Sequence, residues 1–261
     1  MKIATWNVNS IRARLPRVLA WLEARQPDVV CLQETKVVDE LFPREEIEAL
    51  GYAIECFGQK TYNGVAVLSR SEMTDVVRGF PNDPEDAQRR VLGVCVQGYQ
   101  ILNLYVVNGR EVGCDAYERK LILLEDLRQM VCTRYADAER LILTGDFNVT
   151  FDDRDIYDPE AWRDRILCSV PERDALGRVM ECGLADAFRH FHDEGEHYTW
   201  WDFRTRGWQR NRGLRIDHFL MSPAALDSCR SILIDRDERD GEKPSDHAPV
   251  IVDVDVASAA Q

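Results

Sequence analysis

Five short apolar runs in this chain each end at, or begin beside, a side chain carrying an oxygen or an imidazole nitrogen. KIATW leads into Asn7, VVCLQ into Glu34, LILTG into Asp146 and Asn148, and GLRI into Asp217, while Asp246 and His247 stand just before APVIVDV. Apolar runs of this length, rich in β-branched residues, predict buried strands. For any one of these polar residues a turn or cap is explanation enough. Five together predict a site built at strand ends, where a rigid scaffold presents reactive groups.

The same reasoning predicts strands over Ile3–Trp6, Val29–Leu32, Val65–Leu68, Val91–Val96, Ile101–Val107, Leu141–Leu143, Ile216–Met221 and Pro249–Val256. The stretches 91–97 and 100–107 are close enough to form a hairpin over Gly98. Helical spacing appears over Leu15–Arg25, Glu45–Leu50, Tyr117–Cys132 and Glu172–Cys182. Hairpins mixed with helix-separated strands predict an α/β protein with sheets inside and helices outside, without strict βαβ alternation. No low-complexity linker or repeat interrupts the chain, so residues 1–256 are expected to be one domain and 257–261 a tail.

Composition narrows the class. The net charge of −13 argues against a general nucleic-acid coat protein. It leaves room for a local basic groove, because salt screens charges more than about 8–10 Å apart. The eight cysteines form no CxxC pair, and most sit among apolar residues, so buried reduced thiols are expected. The opening MKIATWNV has no signal-peptide pattern, and no apolar run approaches the ~20 residues of a membrane span. These features predict a cytoplasmic protein, with monomer as the default state.

Carboxylates and carboxamides are hard oxygen donors, suited to magnesium. Glu34 and Asp246 are candidate ligands, Asn7 a neutral donor beside them, and Asp146, Asn148 and His247 complete the candidate metal set. Zinc would call for His and Cys ligands at helical or CxxC spacing, which the chain lacks. Hydrolysis of a phosphodiester needs a Lewis acid, an activated water, charge stabilisation and help for the leaving oxygen. Asp146 could take the water's proton. Asn148 could orient that water, and His247 could donate to a phosphoryl oxygen with Asp217 fixing its tautomer.

The blocks WNVNSIRAR (6–14), PDVVCLQETK (27–36), GDFN (145–148), NRGLRID (211–217) and KPSDHAPV (243–250) resemble the signatures of the exonuclease III / AP endonuclease family, in the family's order. GFPNDPEDAQRR (79–90) and YVVN (105–108) are further matches. The resemblance spans nearly the whole chain, and its QETK and SDHAPV blocks are specific to the family. It implies a four-layered α/β sandwich, two packed mixed β-sheets flanked by helices. It implies 3′→5′ exonuclease action on duplex DNA, 3′-phosphatase and 3′-end cleaning, and cleavage 5′ to abasic sites, with Mg²⁺ as cofactor and Mn²⁺ as a substitute. By the same resemblance Asn7, Glu34 and Asp246 match the metal site, and Tyr105, Asp146, Asn148, Asp217 and His247 the catalytic set. The partner implied is double-stranded DNA carrying 3′ ends, nicks or abasic sites.

How an acidic protein would hold DNA is suggested by WWDFRTRGWQRNRGLR (200–215). Arginine forks grip phosphate, and aromatic rings stack on bases that leave the helix. Trp200, Trp201, Arg204, Trp208, Arg212 and Leu214 are the candidates there, with Arg206, Arg210 and Arg215 adding charge. Arg12, Arg89, Arg90 and Asn108 fall in family blocks and are further candidates. His190, His192, His197 and His218 are expected to be structural or surface residues, and Asp235–Glu242 a solvated loop. One departure from the family stands out. Tyr157 occupies a position where strong abasic endonucleases tend to carry a small residue, and this predicts a narrowed pocket for a flipped abasic sugar. Lipid or inositol phosphate phosphodiesterases of the same superfamily, and a non-catalytic DNA-binding relative, are the alternative readings. The QETK block, the NRGLRID block and the arginine–tryptophan segment favour DNA, and the complete set of reactive groups favours catalysis.

Overall fold

The computed structural model describes residues 1–256, so the expected tail at 257–261 lies outside the described residues. Twelve strands are formed among the described residues: β1 (Lys2–Asn7), β2 (Val29–Gln33), β3 (Ala53–Phe57), β4 (Val65–Ser69), β5 (Thr74–Arg78), β6 (Val91–Val96), β7 (Tyr99–Tyr105), β8 (Leu141–Asp146), β9 (Ala185–Asp186), β10 (Asp217–Met221), β11 (Cys229–Ile234) and β12 (Val250–Val254). They make two six-stranded sheets, ordered β11-β12-β1-β2-β4-β3 and β5-β6-β7-β8-β10-β9. Both are mixed, since β1–β2 and β7–β8 run parallel and their neighbours antiparallel.

All eight sequence-predicted runs are interior strands. The four strands not predicted, β3, β5, β9 and β11, are the four sheet edges. An interior strand here is covered on both faces and reads as an unbroken apolar run, as β2 and β4 do with every residue buried. An edge strand shows one side to solvent and carries polar residues there, as Thr74 and Asp75 do in β5. The expected hairpin is present. Val96 pairs with Tyr99 across Gln97 and Gly98, both at positive φ (50° and 81°), which is the twist a two-residue turn requires.

The sheets pack face to face. Ile3, Cys31, Val65 and Val67 of one meet Val94, Ile101, Ile142 and Phe219 of the other. Helices cover the outer faces. Trp21 and Leu22 of α1 (Ile11–Arg25) and Ile47 of α2 (Arg44–Glu48) pack on Trp6, Leu32 and Leu68. Leu124 and Leu127 of α3 (Asp115–Arg134) pack on Leu102, Leu104 and Leu143. After the four-residue α4 (Pro159–Trp162), Leu176 and Val179 of α5 (Val170–Met180) join that second layer. Two short helices, α6 (Ala187–Phe191) and α7 (Pro223–Asp227), complete the shell. The result is the four-layered sandwich that the resemblance implied.

Two expectations change. Cys132 and Cys182 form a disulfide joining the end of α3 to the residue pair after α5, while the other six cysteines are free. The two thiols lie at facing helix ends, a proximity that spacing along the chain does not reveal. The acidic stretch 235–242 is also not simply a solvated loop. Asp235 is buried and accepts from Trp21 Nε1 (2.9 Å) and from Arg25 (2.7 Å), which ties the segment to α1.

The disulfide closes a loop of 50 residues. Reduction, or Cys182→Ser, is expected to lower unfolding stability by about 3 kcal/mol, within the usual range for such a closure. Urea denaturation with and without reductant measures it. An unchanged midpoint would show that the bridge contributes nothing.

Candidate active site

The C-terminal ends of β1, β2 and β8 and the entrance to β10 lie on one rim of the sandwich. The Asn7 side-chain amide donates to Glu34 Oε1 (2.9 Å) and to Asp146 Oδ2 (2.8 Å), joining a carboxylate from each sheet. Asn148 donates from its backbone N–H to Asp146 Oδ1 (2.9 Å) and from Nδ2 to Asp146 Oδ2 (3.1 Å). His247 Nδ1 lies 2.9 Å from Asp217 Oδ2, and its Nε2 lies 3.8 Å from Asp146 Oδ2. Asp246 Oδ1 accepts from Asn9 Nδ2 (2.9 Å), and its Oδ2 accepts from Trp200 Nε1 (3.0 Å). The aromatic ring of Tyr105, paired with Asp146 across β7 and β8, lies under the Arg90 guanidinium at 4.5 Å.

Local sequence explains how these groups are held. Gly145, just before Asp146, runs at φ 138°, and a Cβ there would sit 1.9 Å from Leu104 O. Only glycine lets β8 approach β7 so closely. Glu34, Lys36, Asn9 and Asn148 all adopt left-handed backbone (φ 45–55°). Each costs roughly 1–2 kcal/mol for a side chain bearing a Cβ, so the surrounding fold holds the rim residues against local preference. Ser245 fixes the loop before His247: its hydroxyl donates to Asn7 O (2.6 Å), and the Trp6 indole donates to His247 O (3.2 Å).

Electrostatics follow from burial and charge crowding. Burial pushes the Asp146 carboxyl up, against the opposing pull of His247. Burial alone would lower His247, but Asp217 and Asp146 outweigh it and hold the imidazole protonated. Tyr105 keeps its proton well above the ordinary range because of burial and the charges of Glu34 and Asp146. Asp246 is kept ionised, since His247, Asn9 and Trp200 together outweigh its burial. Ligand atoms of Asp146, Asp217 and His247 lie within 4.8 Å of one another. With Glu34 and Asp246 beside them, the donor set is dominated by carboxylate oxygen and suits a hard divalent cation.

Residues 4–247 match the model of the endonuclease/exonuclease/phosphatase family. The chain belongs to that family. It is 38% identical to exodeoxyribonuclease III of Haemophilus influenzae over 265 residues, 96% of this chain and 98% of that protein. A 3′ phosphatase from Neisseria, solved with a product DNA hairpin, matches at TM-score 0.95 and 42% identity, covering 98% of this chain and 99% of that one. An AP endonuclease from Archaeoglobus fulgidus matches at TM-score 0.93 and 34% identity, covering 98% and 100%. These likenesses place the chain on the exonuclease III branch of the family.

The family's DNA-facing expectations divide once burial is known. Arg12, Arg204, Arg206, Arg210, Arg212 and Asn108 are exposed, and Asn108 also donates to Asn148 Oδ1 (3.0 Å). Trp200 and Trp208 are half-buried, and Arg89 is half-buried in a pair with Asp39. Arg90 is 8% exposed, held by Gln88 and stacked on Tyr105. Three assignments are corrected. Trp201 is fully enclosed between Tyr198 and Trp208, so it has no face to offer a base. Leu214 is fully buried against Ile156 and Ile216. Arg215 is buried in ion pairs with Asp155 (2.7 Å) and Asp186 (2.7 Å), so its charge is spent inside the protein. The loop read as an exposed arginine–aromatic strip is in part a small core.

Two residues near the rim were not singled out from sequence. Lys36 pairs with Glu34 Oε2 (2.7 Å) and donates to Asn9 Oδ1 (2.5 Å). The fully buried Lys120 donates to the carbonyls of Asn148 (2.6 Å) and Asn108 (3.2 Å) and pairs with Glu172. A signal for Lys120 exists in the sequence, since it occupies the buried stripe Tyr117–Lys120–Leu124–Leu127 of α3. A lysine on that stripe has to find a buried partner.

His218, read as structural, is indeed buried behind the site. Its Nε2 donates to Val149 O (2.8 Å), and its Nδ1 accepts from Arg215 (3.1 Å), which fixes the neutral tautomer. Burial and then Arg215 lower its pKa to about 4. An unfolded histidine titrates near ~6.5, so the unfolded chain takes up this proton first as pH falls, and stability is lost between roughly 6.5 and 4. Asp155 continues the trend lower down. Burial would raise it, but Arg215 outweighs that and its pKa falls to about 2. Replacing His218→Gln, which can donate to Val149 and accept from Arg215, should flatten the upper window. The expected difference from wild type in the pH 7-to-4 stability loss is about 3 kcal/mol, read by urea unfolding across pH. Parallel curves for the two proteins would remove the assignment.

Proposed function

We propose that this chain is a DNA repair nuclease that hydrolyses phosphodiesters at 3′ ends of duplex DNA, as 3′→5′ exonuclease and 3′-phosphatase. Cleavage 5′ to abasic sites is its slower activity. Mg²⁺ is its metal, with Mn²⁺ able to substitute. The observation carrying this reading is one buried carboxylate, Asp146, within hydrogen-bond reach of Asn7 and Asn148 and facing a protonated His247.

Glu34, Asp246 and Asn7 are the proposed metal holders, with Asp146 and Asn148 completing the set; His247, expected from sequence among the ligands, is held protonated by Asp217 and Asp146 and has no free lone pair to give a metal. When bound, the metal supplies Lewis acidity toward a phosphate oxygen and positive charge against the transition state. The chain's own groups divide the remaining work. Asp146, with its affinity for a proton raised by burial, accepts one from the attacking water. Asn148, anchored by Asn108 and Val106 O, orients that water. His247, its Nδ1 held by Asp217, donates from Nε2 to a phosphoryl oxygen as charge develops there. Tyr105 keeps its hydroxyl proton and can donate it to a phosphate or leaving oxygen. Exposed Arg12, Arg204, Arg206, Arg210 and Arg212 supply phosphate contacts on a chain whose overall charge is negative. Trp200 and Trp208 provide partly open aromatic faces beside them.

Tyr157 deepens the specificity reading. It is half-buried, edge-on to Trp162 (6.4 Å), with the Arg212 guanidinium 5.8 Å from its ring centre. In this proposal the ring, held on two sides, is what limits the room for an extruded sugar.

Three duplexes distinguish the activities: a recessed 3′-hydroxyl, a 3′-phosphate and an internal abasic analogue. In Mg²⁺ the first two should be processed faster than the third, and EDTA should abolish all three. Product formation indifferent to EDTA, or binding without product, would overturn the proposal. Tyr157→Gly should raise abasic cleavage relative to exonuclease rate by about tenfold, the usual effect of opening a pocket. An unaltered ratio would show that Tyr157 does not gate it.

A further inference from the structure

We propose that His192, Glu194 and His197 bind a divalent transition metal, zinc foremost, at a site separate from the catalytic rim. The three residues belong to the loop that leaves α6, in the sequence HDEGEH. Their spacing of two and then three residues is neither helical nor CxxC, so it does not reveal a nitrogen-donor site. The fold folds the loop back on itself. Both imidazoles pack on Phe188, with ring centres at 4.6 Å for His192 and 5.3 Å for His197, and the two rings are 5.5 Å apart. One ligand atom from each of the three residues lies within 4.8 Å of the others. Zinc with bonds near 2.1 Å holds its ligands about 3.3 Å apart, so the side chains need to close by no more than roughly 1.5 Å.

Several features suit a metal. His192 Nε2 donates to Ile232 O (3.3 Å), which leaves Nδ1 as the nitrogen that would face a metal. A carbonyl behind the far nitrogen is the usual support of a ligating histidine. Arg189 grips the loop from behind through the carbonyls of His192 (3.2 Å) and Glu194 (2.7 Å), so the backbone is ordered without the ion. Two imidazoles and one carboxylate prefer zinc, nickel or copper to magnesium. That preference separates this loop chemically from the oxygen-rich rim.

The loop also reaches that rim. His197 is followed by Tyr198, Thr199 and Trp200. Thr199 Oγ1 accepts from the backbone N–H of Ile216 and Asp217 (3.0 and 3.1 Å), and Trp200 holds Asp246. An ion on His197 would therefore fix one end of the segment that supports two of the proposed reactive carboxylates.

The test uses the full chain, stripped with chelator and equilibrated with Co²⁺ as a visible probe in excess Mg²⁺, then desalted. Wild type should retain one equivalent of cobalt with visible absorption bands, and Zn²⁺ should displace it. The His192→Gln/His197→Gln double variant should lose that equivalent. Asp146→Asn, altered at the rim, should keep it. Glu194→Gln changes an exposed side chain and should bind cobalt at least about 10-fold more weakly, since losing a charged ligand costs no less than losing the partner behind one. Wild type retaining no cobalt, or the Glu194 variant binding with wild-type affinity, would overturn the proposal. These readouts do not depend on nuclease activity, so they stand apart from the test of the proposed function.

Discussion

One side-chain amide holds the arrangement together. Asn7 ends the central strand of one sheet, and its Nδ2 donates at once to Glu34 on that sheet and to Asp146 on the other. Both hydrogen bonds form only if the two sheets are stacked in a fixed register, with β1, β2 and β8 ending on the same rim. A second buried amide set makes that register firm. Gln33 Nε2 donates to Asn103 Oδ1 (2.7 Å) and to Thr5 Oγ1 (2.9 Å), while Asn103 Nδ2 donates to the carbonyls of Leu32 and Ala66 across the interface. Polar groups buried between sheets are costly unless fully paired, and sliding either sheet would break several of these bonds together.

That constraint explains where the fold departs from local preference. Glu34 and Asn148 sit in left-handed backbone, and Gly145 allows a strand contact no other residue could make. The departures are gathered at the rim because there the chain must turn sharply while still aiming a side chain inward. Behind the rim, buried charge does the positioning. Lys120 grips the carbonyls of the two asparagine loops, and Arg215 pins Asp155 and Asp186 beneath β10. Each such cation carries paired oxygens on several sides, as a buried charge must.

Much of this was legible in the sequence, for identifiable reasons. Interior strands of a sandwich are covered on both faces, so β1, β2, β4, β6, β7, β8, β10 and β12 read as apolar runs. The edge strands β3, β5, β9 and β11 show one side to solvent, so polar residues interrupt their apolar ones, as in AIECF and CRSILI, or the strand is only two residues long, and they did not. Asn7, Glu34, Asp146, Asn148, Asp217 and His247 were visible because each stands at or close to the end of an apolar run. What was illegible depends on contacts remote in sequence. Trp201, Leu214 and Arg215 look like parts of an exposed strip until the fold closes Tyr198, Ile156 and Asp155 over them. Lys120 looks like a surface lysine until Glu172 is seen opposite. Cys132 meets Cys182, and His192 meets His197, only because helices and a loop fold back. Charge and ring counts predict what a segment could bind, and burial decides which of its side chains remain free to do so.

The central claim is that carboxylates from two sheets, converging at Asp146, form the catalytic centre for phosphodiester hydrolysis. The most direct measurement is single-turnover cleavage of a recessed 3′ duplex by Asp146→Asn, beside the affinity of the same protein for that duplex. The account predicts a rate at least about 10³-fold lower, with binding changed by less than about tenfold, since a group acting in the transition state is lost while the DNA contacts remain. A variant that cleaves within tenfold of the wild-type rate would contradict it.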